Sequence, residues 1–311
     1  MSSGNLLFLL VLLLGPLVSI SAPNWMICWV GLELSFLGAI PLLLTDNSYM
    51  SLSKESVMKY FCIQALGSGL LMLGGIMYYM DPGLYWISEF IFLFSLFTKL
   101  GVFPMHFWVP GVTAGLNWLP MFILLAWQKI PPFAFLVNML EGSSWCSSIV
   151  LFSGGMSALI GSVIGLNQTS LRAMLGSSSI VHTGWGCIGA VFGSLWVYFF
   201  IYCISFMVLM ILLTLGHSLL AGFGILSLSG LPPFMMFAGK WMVLKSVLFS
   251  SSSIMFLILP IVGALFSLFF YLKFFYSFYL SSSFIKSETK FLGISSLAFV
   301  TLSGVLMLFC F

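Results

Sequence analysis

The chain has 311 residues, 61% of them hydrophobic and 5% charged, with a formal net charge of +3 and a mean hydropathy of +1.19. Soluble domains carry about 25% charged residues, so this composition excludes a sizeable soluble portion and describes a membrane protein. The small, scattered positive charge gives no footprint for nucleic acid or for an acidic substrate.

A membrane-crossing helix needs about 20 apolar residues. Hydropathy and helix breakers place eleven spans, at about 5–22, 25–44, 57–80, 86–108, 116–136, 148–167, 173–191, 194–215, 219–249, 254–276 and 291–310. The expected fold is therefore all-α and polytopic, a single transmembrane domain. Met1-Ser-Ser-Gly4 has no positive charge ahead of the apolar run Leu6–Ile20, whereas a secretory signal normally begins with one. The first segment is thus read as a membrane helix. No import presequence is visible, which suits a protein made inside the organelle that uses it.

The fourth and ninth spans are expected to be discontinuous. The fourth carries Gly101 and Pro104, and the ninth carries Gly230-Leu-Pro-Pro233, with Gly239 just before Lys240. Proline removes a backbone donor and breaks the helical ladder. Paired interruptions point to an internal repeat and to a transport site. The two spans are five apart, an odd number, so repeats over about 25–136 and 173–276 would be inverted across the membrane. Spans at about 5–22, 148–167 and 291–310 would flank them, although no repeat is visible residue by residue.

With eleven spans, the loops on the N-terminal side receive Lys54, Lys59, Arg172, Lys286 and Lys290, while the opposite loops hold Asp81 and Glu141 and no basic residue. Lysine and arginine bias then puts the N-terminus on the inner, positive side.

The ionisable residues left inside the spans are Glu33, Lys99, Lys129, Lys240, Lys245 and Lys273, with His106 and His182. A charge at the bilayer centre costs ~3 kcal/mol on insertion scales, so it persists mainly where it works. Glu33, Lys99 and Lys129 lie too deep to reach the interface, Lys129 just before Pro131-Pro132, and are read as functional; so is Lys240, beside a break. Lys245 and Lys273 fit snorkelling to the interface. His182 fits a satisfied core histidine as well as a working one, and His106 fits the former. Glu89, ten residues and about 15 Å of helix before Lys99, is expected at the interface.

Buried lysines with one carboxylate form a plausible proton relay. A Glu–Lys pair at ~4 Å and an effective dielectric of ~20 is worth about 4 kcal/mol. Driving one proton against ~150–200 mV costs roughly 3.5–4.6 kcal/mol. Making and breaking one such pair is therefore of the right size to load and release a proton. The chain has no GxGxxG turn after a strand, no Walker A loop, no paired histidines for haem and no cysteine set for an iron–sulfur cluster. Its six cysteines, Cys28, Cys62, Cys146, Cys187, Cys203 and Cys310, stand singly, as small buried hydrophobes do. Redox or hydrolytic energy must come from another subunit or from an ion gradient.

Six segments carry a family resemblance. Lys99-Leu-Gly-Val-Phe-Pro-Met-His-Phe-Trp-Val-Pro110 resembles a KLG-x-x-PFHFWVPEV segment, and Trp127-Gln-Lys-Ile-Pro-Pro132 a WQK-x-AP segment. Ser170–Trp185 is similar to LRK-x-x-AYSSI-x-H-x-GW, and Leu228–Trp241 to GGLPP-x-x-GF-x-x-KW. Trp29-Val-Gly-Leu-Glu33 resembles W-x-GLE, and Lys59–Ala65 resembles KYF-x-x-QA. In this order, from about Trp29 to Trp241, they resemble the subunit 2 family of respiratory NADH:ubiquinone oxidoreductase (mitochondrial complex I), an antiporter-like membrane subunit. The length resembles the short animal form, which lacks three N-terminal helices of bacterial counterparts.

The resemblance implies a proton-translocating membrane-arm subunit in the mitochondrial inner membrane, with its N-terminus in the matrix. Glu33, Lys99, Lys129 and Lys240 would correspond to the family's proton-pathway residues, with His182 as a link. No cofactor is implied in this chain: NADH, FMN, iron–sulfur clusters and ubiquinone would be bound by other subunits. Its partners would be the other membrane subunits of the complex and the bilayer, with no nucleic acid. Two departures stand out. Gly111 occupies the place of the family's acidic residue after WVP, and Met-Met-Phe-Ala-Gly precedes Lys240. A stand-alone cation/proton antiporter is the alternative, and a structural scaffold a third reading.

Overall fold

In hydrocarbon a backbone without water must satisfy its own polar groups, and for long apolar runs the helix does this within one segment. The computed structural model describes residues 3–44, 50–80, 85–216, 218–250 and 254–282, and among these the regular structure is entirely helical. In order the helices are α1 (Ser3–Ser21), α2 (Trp25–Leu43), α3 (Met50–Met80), α4 (Tyr85–Leu100), α5 (Trp108–Thr113), α6 (Trp118–Leu125), α7 (Ile130–Leu140), α8 (Ser144–Asn167), α9 (Leu171–Val191), α10 (Leu195–Thr214), α11 (Ser218–Ser229), α12 (Met235–Ser250) and α13 (Ile258–Ser282). Six segments are long and apolar enough to cross a membrane: Trp25–Leu43, Leu52–Tyr79, Trp118–Leu140, Ser144–Asn167, Leu195–Thr214 and Met255–Leu280. The expected span at 291–310 and Asp81, Lys286, Lys290 and Cys310 lie outside the described residues.

Chain contacts separate two compact units, Met1–Ile149 and Val150–Phe311. In the first, glycines bring α1 and α2 together: a β-carbon on Gly31 would lie 2.6 Å from Ser19 N, and one on Gly38 2.8 Å from Leu12 N. Small residues at such crossings let backbones approach where lipid offers no hydrophobic drive. Trp127 Nε1 ties this pair to the rest of the unit by donating to Leu12 O at 3.0 Å. In the second unit α9 is buried along its length, from Ala173 to Ala190, and packs against α10, α12 and α13. It starts at Ser170, whose hydroxyl accepts from Ala173 N and caps the helix. It is rich in serine, threonine and glycine, and it is less apolar than the six segments above because protein, not lipid, surrounds it.

Both expected discontinuities are present. Helix α4 ends at Leu100 and the chain turns at Gly101 (φ 71°). There Gly101 N and Val102 N both donate to Phe97 O, at 2.9 and 3.1 Å, closing the helix with a left-handed residue. Likewise α11 ends at Ser229, Gly230 takes φ 77°, and α12 resumes at Met235.

Two details differ from the sequence expectation, and a third adds to it. The segment expected to start at 57 is helical from Met50, so Lys54 and Lys59 lie on α3 rather than in a loop, with Lys59 paired to Glu55 at 2.6 Å across one exposed turn. The span expected at 116–136 is two helices, α6 and α7, joined by a 3₁₀ turn over Trp127–Lys129. Pro131 and Pro132 lie in the first turn of α7, where their missing N–H groups are tolerated, and Ile130 N donates to Trp127 O instead. Glu89, in the opening turns of α4, is enclosed by protein rather than exposed. It lies beside Cys146, whose thiol is 3.8 Å from Glu89 Oε2, and the stacked rings of Trp86 and Trp145 lie nearby in sequence.

Gly101 is needed for conformation and for space, since a β-carbon there would press on Val109 Cγ2. Holding a non-glycine residue in the left-handed region costs about 1–2 kcal/mol. We expect Gly101→Ala to lower the thermal unfolding midpoint of the protein in its native membrane. Adding Val109→Ala should recover the steric part of that loss but not the conformational part.

Candidate functional site

The interruptions place the buried lysines. In the first unit, Lys99 occupies the last turn of α4, immediately before the left-handed Gly101, and is 8% exposed. Ending the helix there frees the carbonyl of Thr98, and Trp108 Nε1 takes it at 3.1 Å. The lysine stem runs past Gly67 of α3, where a β-carbon would lie 3.4 Å from Lys99 Cγ.

Around Lys99 is a small cavity lined also by Tyr60, Gln64, Trp108 and Gln128. Its water-sized space is about 10 Å³, room for about one water molecule. Tyr60 and Gln64 are one helical turn apart on α3 and so share a face. Gln128 is held by a two-point contact with α2: its Nε2 donates to Ser35 O at 2.8 Å, and Ser35 Oγ donates to its Oε1 at 3.2 Å. That contact anchors the 3₁₀ turn, and with it Lys129, which is 3% exposed.

Glu33, on α2, attracts Lys99 electrostatically and also acts on the Tyr60 phenol. The two do not form a direct ion pair, and Glu33 Oε1 is buried without a hydrogen-bond partner. In the first unit Lys99 and Gln128 line one polar cavity, Lys129 follows Gln128 in the chain, and Glu33 follows the lining Leu32, with the carboxylate and Lys99 in an open arrangement.

In the second unit Lys240 is 7% exposed and lies on α12, one turn past the break. Its Nζ donates to Ser229 O at 2.7 Å, the last residue of α11. A lysine at a helix C-terminus satisfies an orphan carbonyl and meets the negative end of the helix dipole. Gly230 leaves room for it: a β-carbon there would be 2.9 Å from Lys240 Cδ. Lys240 Nζ also lies 6.0 Å from the centre of the Trp185 ring, one turn of α9 beyond His182. His182 itself is 3% exposed, with Nδ1 2.8 Å from Tyr198 Oη and Nε2 3.3 Å from Tyr271 Oη.

The remaining ionisable groups have structural surroundings. His106 is buried, with the Phe103 and Phe107 rings at 6.0 and 4.1 Å, and, unlike the satisfied core histidine expected, has no hydrogen-bond partner at either ring nitrogen. Lys273 is exposed and donates to Gln168 O, just past the end of α8, at 3.2 Å. Lys245 is exposed on α12. Tyr60, Gln64, Gln128, Tyr198 and Tyr271 were not assigned roles from the sequence. Three of them stand inside the quoted segments KYF-x-x-QA and WQK, so motif membership was the signal available; the two later tyrosines carried none.

Residues 22–221 match the family described as NADH:quinone oxidoreductase/Mrp antiporter, TM. NADH-ubiquinone oxidoreductase chain 2 of Albinaria caerulea is 36% identical over 87% of this chain and 88% of its own. Among solved structures, a chain of respiratory complex I from Thermus thermophilus superposes with a TM-score of 0.79 at 21% identity, over 98% of this chain and 77% of that one. A chain of the Mrp complex from Dietzia gives 0.76 at 15% identity, over 86% and 59%.

The indole donor of Trp108 is testable alone. A buried carbonyl left without its partner costs about 1–3 kcal/mol. We expect Trp108→Phe to speed thermal inactivation by an amount in that range, whereas Trp29→Phe, whose lost bond to Ser68 O is a longer 3.2 Å contact and only part-buried, should cost less.

Proposed function

The chain belongs to the NADH:quinone oxidoreductase/Mrp antiporter transmembrane family and is a relative of chain 2 of NADH-ubiquinone oxidoreductase, and we propose that it is a proton-translocating membrane subunit of that oxidoreductase in which half-buried Glu33 and buried Lys99, Lys129, His182 and Lys240 relay protons. The observation that carries the relay is the coincidence, in each unit, of a buried lysine with a helix interruption: Lys99 at the end of α4, and Lys240 on the terminal carbonyl of α11.

In this reading the energy is released by quinone reduction in other subunits, which hold NADH, FMN, the iron–sulfur clusters and ubiquinone. The partners are the other membrane subunits of the complex, and the site of action is the mitochondrial inner membrane. Lys54 and Lys59 near the start of α3 and Arg172 in the first turn of α9 support an N-terminus in the matrix, on an eleven-helix arrangement. A break beside a buried lysine in each unit, after Leu100 and after Ser229, supports two inverted repeats, about 25–136 and 173–276, within a single transmembrane domain.

Lys99 works against Glu33. The open arrangement leaves the carboxylate free to take a proton through the cavity that Tyr60, Gln64 and Gln128 line. Closing the pair to ~4 Å gains about 4 kcal/mol at an effective dielectric of ~20, comparable with the cost of moving a proton across ~150–200 mV. Rotation of either side chain is the load-and-release step.

The second reading, a stand-alone cation/proton antiporter, is favoured by the fold shared with a chain of the Mrp complex. The two separate on solitary function, since only an antiporter exchanges ions when purified alone into liposomes.

The test is Lys99→Met in the intact complex, with quinone reductase activity and proton pumping measured separately. Pumping should fall with the complex still assembled; unchanged pumping removes Lys99 from the relay.

A further inference from the structure

His182 is held at both ring nitrogens by phenols from two other helices. Tyr198 comes from α10 and Tyr271 from α13, and both are 1% exposed. The contacts are 2.8 Å at Nδ1 and 3.3 Å at Nε2. Beside them Tyr202 lays its ring 4.8 Å from the imidazole, and its buried hydroxyl has no hydrogen-bond partner. A core histidine needs one donor and one acceptor, which backbone groups usually supply. Here both are hydroxyls, groups that donate and accept equally well.

We propose that Tyr198, His182 and Tyr271 form a proton bridge across α10, α9 and α13, with the two tyrosines as relay residues and the imidazole changing tautomer as each proton passes. The proposal rests on the relay reading given above.

The step balances in atoms and charge. With His182 protonated at Nε2, Nδ1 accepts from the Tyr198 hydroxyl and Nε2–H donates to the Tyr271 oxygen. A proton arriving at the Tyr198 oxygen replaces the one that this hydroxyl passes to Nδ1. The Nε2 proton moves to the Tyr271 oxygen, and the original Tyr271 hydroxyl proton leaves. One proton has crossed, every group is neutral again, and His182 carries its proton on Nδ1. The next proton needs the first tautomer back, by rotation of the ring or by return of the protons, and the overlying Tyr202 ring makes rotation the slow part. Tyr198 packs by Gly239, whose β-carbon would lie 3.3 Å from Tyr198 Cδ2, so this end of the bridge lies against α12 at the residue that precedes Lys240. The other end of the bridge, Tyr271, belongs to α13.

The experiment uses the intact complex in sealed vesicles, with quinone reductase turnover and proton uptake per electron read together. Tyr198→Phe and Tyr271→Phe keep the ring packing and remove only the hydroxyl. His182→Gln keeps a donor and an acceptor in similar space but has no second tautomer to switch into. Each change should lower proton uptake about tenfold or more while the complex assembles. The infrared C–N stretch of the imidazole should shift during turnover in the parent complex and stay fixed in both tyrosine variants. If His182→Gln, or either Tyr→Phe variant, assembles and pumps at the parent ratio while Lys240→Met does not, the bridge is wrong and the relay stands. If Lys240→Met also pumps at the parent ratio, the relay reading falls with it. If the tyrosine variants fail to assemble, His182→Gln decides alone: normal pumping overturns the bridge, and lost pumping in an assembled complex supports it.

Discussion

A helix that stops inside hydrocarbon leaves carbonyls that no water can reach, and that constraint governs this protein. Each interruption is answered by a donor, from a separate element in two cases and from the adjoining turn in the other. Trp108 serves Thr98 O, Ile130 N serves Trp127 O, and Lys240 serves Ser229 O. The first two answers are neutral and keep their donors. The third is made by an ionisable group, so one side chain both completes the backbone and holds a titratable nitrogen beside the break. Structure and chemistry meet in one hydrogen bond at that position.

The interruptions were legible because glycine and proline act locally. Gly101 and Gly230 stand where left-handed residues are needed, and Pro131 and Pro132 mark the start of α7. The buried lysines were legible because a charge in an apolar run is costly wherever it lies, and Glu33, Lys99, Lys129 and Lys240 stood out on that ground alone. What stayed hidden depends on tertiary neighbours. The enclosure of Glu89 is one case, since its place near the start of α4 gives no sign that the start of α8 packs Cys146 against it. The start of α3 was hidden because Lys54, Glu55 and Lys59 depress hydropathy without breaking a helix, and on one face they pair across a turn. Tyr198 and Tyr271 could not be picked from the ten tyrosines, because nothing local distinguishes a phenol that touches His182 from one that faces lipid.

The two units solve the lysine problem differently. Lys99 belongs to the helix that ends beside it, whereas Lys240 belongs to the helix that begins and reaches back to the one that ended. Lys99 therefore has its attraction to a carboxylate and a polar cavity, while Lys240 has a helix terminus and an aromatic face. The first environment can exchange partners by side-chain rotation. In the second, a neutral amine still donates to Ser229 O, so loss of the proton weakens the bond without breaking it.

Helix α9 carries Ser177, Ser178, Ser179, His182 and Thr183 along a segment that is buried on every side. Such a helix has little affinity of its own for lipid, and its histidine reaches Tyr271 only after 89 further residues of chain. During synthesis it must therefore remain beside the insertion machinery, or against α8 through the Gly154–Gly184 crossing, until α13 exists to cover it. The polar interior of the finished protein thus links a helix made early to one made 89 residues later, and α9 is fully enclosed only once both are in place.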